Sequence, residues 1–255
     1  MGRSLEATAP MQRYRIQVAY DGTNYFGWQV QPNGITVQEC LESAIRQLTA
    51  ETVKVHGSGR TDQGVHARGQ VAHFDLTKDW TPGALHKALN ALLPQDIRIM
   101  HVAPVAADFH ARRSVLEKEY RYFIWNGPIM PPFYRHYKAH IRAPLAVDGM
   151  RAAAAHFVGR HDFAAFTANP NRLVESTVRE VTSLQVRKHG ADLVIAVRGE
   201  GFLYRMVRSI AGLLIRVGEG ALPPEEVRAI LASRVRTARV PTAPACGLFL
   251  WNVKY

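Results

Sequence analysis

The stretch Arg13-Tyr14-Arg15-Ile16-Gln17-Val18-Ala19-Tyr20 alternates between polar and apolar side chains. Alternation of this kind predicts a β-strand with one buried face, because successive side chains of a strand point to opposite sides. The segments that follow predict a helix, two strands, a second helix and a strand, at residues 37–48, 53–55, 71–76, 82–92 and 97–105. The resulting order, β-α-β-β-α-β, is that of the split βαβ motif.

Both helices of this first half have sequence signals for their first turn. Thr36 and Glu39 have the spacing of a capping box, in which each side chain satisfies a free backbone N–H. Pro82 follows Thr81 at a first helical position, where the missing N–H of proline costs nothing.

The remainder of the chain repeats the order of elements without detectable sequence identity to the first half. It predicts a strand, a helix, a hairpin, a helix, an additional helix and a last strand, at residues 117–125, 147–158, 178–186 with 193–198, 203–217, 225–232 and 247–254. We therefore expect an α+β protein with two domains, residues 1–112 and 113–255, and a boundary near residues 112–116.

The charge of the chain favours a polyanionic partner. Its 255 residues include 32 lysines and arginines against 21 acids, a formal net charge of +11. Such a surplus is typical of proteins that bind nucleic acid or an anionic membrane surface, although a merely basic soluble protein has it too. Apolar residues make up 47% of the chain, which is enough for a packed core.

Cysteine content and hydropathy indicate where the protein works. Cys40 and Cys246 are too few for a four-cysteine zinc site or a disulfide framework, and they fit a reducing compartment. Residues 1–10 lack the apolar core of a secretory signal, and the longest apolar runs are too short to cross a bilayer. We therefore expect a soluble cytoplasmic protein that does not contact membranes.

The segment Gly57-Ser58-Gly59-Arg60-Thr61-Asp62-Gln63-Gly64-Val65-His66-Ala67 combines one carboxylate with an arginine and three glycines. Glycines at this density permit backbone conformations and close approaches that other residues do not. The segment predicts either a loop that aims Arg60 and Asp62 at a ligand, or a tight turn in which Asp62 hydrogen-bonds its own backbone.

Three arginines accompany the predicted helix 203–217. Its apolar residues recur at helical spacing as one stripe, and Arg205, Arg208 and Arg216 lie off that stripe, nearly in one row. The row predicts either a solvated basic face or, because a glycine-containing segment at 199–202 precedes it, a helix that begins at a functional site.

Sequence signals for cofactors are missing. No segment has the spacing of a Walker loop, of a dinucleotide-binding glycine motif or of a His-Glu-x-x-His zinc site. The eleven histidines are scattered without the clustering that metal ligands require. We expect neither a cofactor nor a metal ion.

The glycine-rich segment also resembles the catalytic loop of a known family. Its letters G-R-T-D-x-G-V-H are similar to the motif of the TruA family of tRNA pseudouridine synthases. Further segments resemble that family in the same order and extend the resemblance from about Tyr14 to Tyr255; they are 20–29, 69–74, 108–112, 120–122, 161–163, 202–208 and 247–250.

This resemblance implies two ferredoxin-like β-α-β-β-α-β halves, whose antiparallel sheets flank a central basic cleft. It implies an enzyme that isomerises uridine to pseudouridine in the anticodon stem-loop of tRNA, around positions 38 to 40. The reaction changes no oxidation state and consumes no energy, so it needs no cofactor. Members of the family typically act as homodimers.

The resemblance also implies roles for five residues. Asp62 would be the nucleophile that attacks C1′ of the ribose or C6 of the uracil, and Arg208 would be the cation beside it. Arg60 would steer the RNA backbone or occupy the space that the base leaves. Tyr120 would stack on the uracil, with or without a part in the proton step, and Leu248 would form an apolar wall, although both residue types also occur as plain core residues. Position 205 is an arginine where relatives commonly have histidine.

Two other functions remain alternatives. Tandem RNA-recognition domains share the β-α-β-β-α-β order, but their third strand carries aromatic residues, and in residues 68–74 only Arg68, Gly69 and Phe74 fit that pattern. A glycoside hydrolase normally needs two facing carboxylates, and no second acid accompanies Asp62 in its segment.

Overall fold

The computed structural model describes residues 11–168 and 175–255. The first ten residues, for which the sequence predicts no secretory signal, lie outside the described residues. No helix in the described ranges is long and apolar enough to cross a membrane.

The described residues form ten strands and five helices. The strands are β1 (Gln12–Tyr20), β2 (His56–Gly57), β3 (His66–Leu76), β4 (Ile97–Val105), β5 (Glu117–Trp125), β6 (Ala139–His140), β7 (Gly159–Asp162), β8 (Val178–His189), β9 (Asp192–Gly199) and β10 (Leu248–Lys254). The helices are α1 (Val37–Thr49), α2 (Pro82–Leu92), α3 (Val147–Ala155), α4 (Met206–Gly218) and α5 (Glu226–Ser233). Short 3-10 turns lie at Pro132–Tyr134, Ala164–Phe166 and Ala245–Gly247.

All ten strands belong to one sheet, with the order β4-β1-β3-β10-β5-β9-β8-β7; β2 pairs with β3, and β6 pairs with β5. The predicted α+β class is confirmed, but the expectation of separate sheets on either side of a cleft is wrong. β10 pairs in parallel with β3, through Phe249 opposite His66 and Leu250 opposite Ala67. This pairing occupies backbone groups that two separate sheets would leave as free edges.

The first turns of α1 and α2 are formed as the sequence predicts. The Thr36 hydroxyl accepts a hydrogen bond from the backbone N–H of Glu39 at 3.3 Å. Thr81 caps α2 in the same way, and Pro82 follows it as the first helical residue. The apolar faces of both helices are buried in a core that extends through the two halves of the chain.

Several predicted boundaries differ from the structure. β3 begins at His66, five residues before the predicted Val71. The prediction missed this first part because His66 and Gln70 are polar residues that are fully buried, so the strand shows no alternation of polar and apolar residues there. The short strand predicted at 53–55 is instead β2, directly after it. Helix α3 ends at Ala155, because the chain turns there into β7, which pairs with β8.

Helix α4 begins three residues later than the predicted Leu203. Arg205 has a φ of 57° and a ψ of 13°, the left-handed conformation, which cannot continue a right-handed helix. A non-glycine residue in this conformation is uncommon and is often found at functional sites.

At Gly212, helix α4 packs closely against the backbone of Pro241. A Cβ atom at Gly212 would lie 2.2 Å from the carbonyl oxygen of Pro241. We expect Gly212→Ala to lower the free energy of unfolding by about 1–3 kcal/mol, because the backbone must shift to admit the methyl group. Urea denaturation measures the change.

Gly83 of α2 provides the matched control, since nothing lies within 4 Å of a Cβ atom placed there. Gly83→Ala should leave stability unchanged or raise it by up to about 1 kcal/mol. A Gly212→Ala protein as stable as the Gly83→Ala protein would contradict the close contact between α4 and Pro241.

Candidate active site

The five residues singled out by the sequence line one cleft of about 860 Å³: Arg60, Asp62, Tyr120, Arg208 and Leu248. They come from the loop between β2 and β3, from β5, from α4 and from β10. Segments distant in sequence therefore converge where β3, β10 and β5 lie side by side in the sheet.

The loop that carries Asp62 is fixed by contacts on the segment before α1. Thr61 accepts a hydrogen bond from the backbone N–H of Trp28 at 3.1 Å, and its hydroxyl lies 2.8 Å from the Tyr20 hydroxyl. Gly27 has a φ of 86°, and a Cβ atom there would lie 2.5 Å from the Thr61 carbonyl oxygen. This close approach requires glycine and fixes the backbone directly before Asp62.

The two ends of the same loop are held by buried polar side chains. Gln70 donates to the carbonyl oxygen of Gly59 at 2.9 Å and accepts from the Ser58 hydroxyl at 2.6 Å. Lys118 donates to the carbonyl oxygen of Ser58 at 2.7 Å. At the other end, Nδ1 of His66 accepts from the backbone N–H of Gly22 at 3.0 Å. No local sequence signal marks Gln70, Lys118 or His66 as site residues.

Asp62 is paired with cations from the second half of the chain. Nη1 of Arg208 donates to Oδ2 of Asp62 at 2.9 Å, and Nε of Arg205 lies 3.7 Å from the same oxygen. The side chains of Asp62 and Arg208 are 19% and 12% exposed. This geometry favours the functional loop over a self-capping turn, because the carboxylate is directed to the cations and not to its own backbone.

Arg208 is itself oriented by the segment before β10. Its Nε donates to the carbonyl oxygen of Ala243 at 2.8 Å, and its own carbonyl oxygen accepts from the Ala243 N–H at 3.0 Å. Arg236 holds this segment against α4 through hydrogen bonds to Ser209, to the Val240 carbonyl and to Thr242, at 2.9, 2.9 and 2.8 Å. No local sequence signal distinguishes Arg236 from the other arginines.

The predicted row of arginines along α4 does not stay together. Arg205 and Arg208 both reach Asp62, whereas Arg216 donates to the carbonyl oxygen of Ala238 at 3.2 Å. Arg205 precedes the helix, and its guanidinium lies over the ring of Tyr204 at 4.8 Å. Arg205 therefore gives Asp62 a second cation.

Tyr120 and Leu248 are core residues that also line the cleft. They are 8% and 6% exposed, and the Tyr120 ring meets Phe202 edge to face at 5.2 Å. Burial, together with the neighbouring Tyr20 and the Asp62 carboxylate, raises the pKa of Tyr120, and its phenol is protonated at neutral pH. Arg60 is exposed at the cleft.

Asp62 is the only carboxylate among the described residues that line the cleft. This disfavours a glycoside hydrolase, whose chemistry normally uses two carboxylates. Within residues 11–168 and 175–255, no cluster of three or more histidine, cysteine or acidic side chains could hold a metal ion.

A model of the tRNA pseudouridine synthase family matches residues 16–112 and 153–255. The chain belongs to this family. It is 48% identical to tRNA pseudouridine synthase A of Brevibacillus brevis over 245 residues, which cover 96% of this chain and all of that protein. The tRNA pseudouridine synthase A proteins of Pelobacter propionicus and Ruminiclostridium cellulolyticum are 45% and 47% identical, with 96% of this chain and 100% of each protein covered.

Membership of this family makes the chain an isomerase of the pseudouridine synthase class. It confirms the resemblance that the segment 57–67 carries, and it decides against tandem RNA-recognition domains.

Arg208 offers a direct test of the site's electrostatics. We expect Arg208→Lys to lower the rate constant of the isomerisation step by about 100-fold, because one ammonium group cannot replace a guanidinium that bridges Asp62 and Ala243. Release of tritium from uridine labelled at C5 measures the rate. Arg216→Lys, on the same helix, should keep the wild-type rate; equal losses in both variants would contradict a specific role for Arg208.

Proposed function

We propose that the protein isomerises uridine to pseudouridine in the anticodon stem-loop of tRNA, around positions 38 to 40, with Asp62 as the nucleophile. One observation carries the proposal: Asp62 is the only carboxylate among the described cleft residues, and Arg208 holds it at 2.9 Å. An ionised carboxylate is sufficient as a nucleophile for this reaction.

The reaction breaks the bond between C1′ and N1 and forms one between C1′ and C5. Asp62 attacks either C1′ or C6. Attack at C1′ displaces the base from the ribose, whereas attack at C6 bonds the base to Asp62 while the bond between C1′ and N1 breaks. In both routes the base turns, bonds through C5 and loses the C5 proton, while N1 gains a proton and the carboxylate is regenerated. Reactants and products have equal oxidation states, so the proposal includes no cofactor and no metal ion.

The cations beside Asp62 keep its negative charge stable in a cleft that the substrate dehydrates. Arg208, fixed by Ala243, supplies a directed hydrogen bond, and Arg205 adds a second positive charge at 3.7 Å. Opposite charges interact more strongly where water is excluded. The pair is therefore in place before substrate binds, and no side chain has to reorganise during the attack.

Tyr120 and Leu248 form the pocket for the uracil ring. The target base must leave its stack before Asp62 can reach it, and a flat aromatic ring offers the surface on which it stacks instead. Because the Tyr120 phenol stays protonated, it also has a proton to donate in a hydrogen bond. Arg60, exposed next to Asp62, either steers the RNA backbone or occupies the space that the base leaves.

The surplus of positive charge supplies most of the affinity for tRNA. Lysine and arginine side chains that meet phosphates set affinity but carry little sequence information. Lys54, Arg60, Arg112 and Arg179 line the cleft around Asp62 and suit such contacts.

We further propose that the enzyme is a homodimer. On β5 and β10, side chains that alternate with the buried residues form a partly exposed face: Phe123, Trp125, Phe249 and Trp251. The guanidinium groups of Arg68 and Arg121 lie 4.5 and 4.0 Å from the Trp251 ring. Aromatic residues and arginine are enriched in protein interfaces. Sedimentation at micromolar concentration tests this; a mass of 28.5 kDa, that of one chain, would contradict it.

We also propose that the protein consists of two ferredoxin-like halves and works in the cytoplasm. The strand orders β4-β1-β3-β2 and β10-β5-β9-β8 support two ferredoxin-like halves, which we divide into residues 1–112 and 113–255. The free thiols Cys40 and Cys246 and a tRNA substrate support work in the cytoplasm, without a membrane partner.

Tritium release tests the reaction and the nucleophile together. Unmodified tRNA transcripts labelled at C5 of uridine are incubated with wild type, Asp62→Ala and Tyr120→Phe, without added cofactor. We expect Asp62→Ala to lose more than about 10⁴-fold in rate while tRNA binding is retained. If the Tyr120 ring only stacks on the base, the rate of Tyr120→Phe should stay within about tenfold of the wild-type rate.

Asp148→Asn is the control, because this carboxylate lies on α3 and its side chain is 96% exposed. It should release tritium at the wild-type rate. Replacing uridines 38 to 40 of the transcript by cytidine should remove the release. Binding of tRNA by the wild type without any release would contradict the proposed function for these substrates.

A further inference from the structure

Lys118 is a buried lysine in the cleft to which the proposed reaction gives no role. Residues alternate along β5, so Lys118 lies on the same face of the sheet as Tyr120, and it is 9% exposed. Its Nζ donates to the carbonyl oxygen of Ser58 at 2.7 Å. The ammonium group therefore lies against the segment that leads to Asp62.

No carboxylate of the described residues pairs with this ammonium. On the same strand, Glu117 pairs with Lys254, and Glu119 pairs with Arg121 and Arg198. Burial, with the neighbouring cation Arg112, lowers the pKa of Lys118 to about 8. Because buried lysines are ordinarily paired, a buried lysine without an anion indicates that the anion comes from a ligand.

The space beside the ammonium is open because residue 59 is a glycine. A Cβ atom at Gly59 would lie 3.2 Å from Nζ of Lys118, closer than ordinary contacts. An ammonium group has three donors, and Ser58 accepts from one of them. The other two are available to a group in the part of the cleft that Gly59, His110 and Arg112 line.

We propose that Lys118 and Arg112 form an anion subsite that binds one phosphate of the RNA backbone beside the target uridine. This inference rests on the proposed function and identifies residues that hold the backbone of its substrate. Gly59 is three residues from Asp62, so the subsite adjoins the reacting nucleotide. A compact ammonium suits a phosphate oxygen as a point charge, and the exposed guanidinium of Arg112 adds a second contact.

The subsite makes RNA affinity depend on pH in a defined direction. Arg112, from the turn after β4, is the charged neighbour of Lys118, and His110 lines the same cleft. A bound phosphate raises the pKa of Lys118 above its value in the free protein. The affinity for RNA is therefore highest below about pH 8, where Lys118 is protonated. It falls as the pH rises above 8, by up to tenfold per pH unit.

Measurements of the tRNA dissociation constant against salt and pH test the proposal. The proteins are wild type, Lys118→Met, Lys118→Arg and, as a matched control, Lys87→Met, which removes an exposed lysine of α2 outside the cleft. We expect Lys118→Met to bind about tenfold more weakly and its slope of log affinity against log salt to shrink by about 0.7 to 0.9. Lys118→Arg should keep the slope and lose the pH dependence above 8, and Lys87→Met should match the wild type.

An unchanged salt slope in Lys118→Met, with a slower reaction, would overturn the proposal and leave Lys118 as a support of the loop. Gly59→Ala gives an independent check, since its methyl group, 3.2 Å from Nζ, should displace the ammonium and weaken binding without removing the lysine. Competition between inorganic phosphate and tRNA distinguishes a site for free anions from a site for a phosphate of the RNA backbone. If phosphate displaces tRNA at low millimolar concentration, the proposal that the subsite binds an RNA phosphate is overturned. Tritium release by the same wild-type preparation tests the proposed function separately, since the salt slope does not depend on turnover.

Discussion

The parallel pairing of β3 with β10 is the contact on which the site depends. Two residue pairs, His66 with Phe249 and Ala67 with Leu250, join the halves into one sheet. Asp62 lies four residues before His66, and Leu248 lies one residue before Phe249, so the same register places both at the cleft. Because a shift of one residue would turn every side chain to the other face, the register also decides which residues line the cleft.

The cleft concentrates positive charge where the fold supplies little negative charge to balance it. Asp62 faces two arginines, and Lys118 has no acidic partner among the described residues. Desolvating these groups costs free energy in the absence of substrate. The tRNA substrate that we propose is a polyanion, and its phosphates supply the missing negative charge when it binds.

The sequence predicted most of the elements, because their signals are local, such as the alternation in β1 and the caps at Thr36 and Thr81. It also indicated Asp62 and Arg208, through motif resemblance and helical spacing. It missed the continuous sheet, because strand pairing between distant segments leaves no local pattern. Lys118 was missed for a related reason: a lysine in a strand indicates solvent exposure, and only the tertiary structure shows it to be buried.

The hydrogen bond from Arg208 to Asp62 joins the two halves of the chain at the site before any substrate binds. A double-mutant cycle of Asp62→Asn and Arg208→Met, read as free energies of unfolding, measures that pair directly. Asp62→Asn leaves Arg208 without its carboxylate, Arg208→Met leaves Asp62 with only the more distant Arg205, and the double variant removes both charges of the pair. We expect a coupling energy of about 1–3 kcal/mol; additivity within about 0.3–0.5 kcal/mol would mean that the two side chains do not stabilise each other.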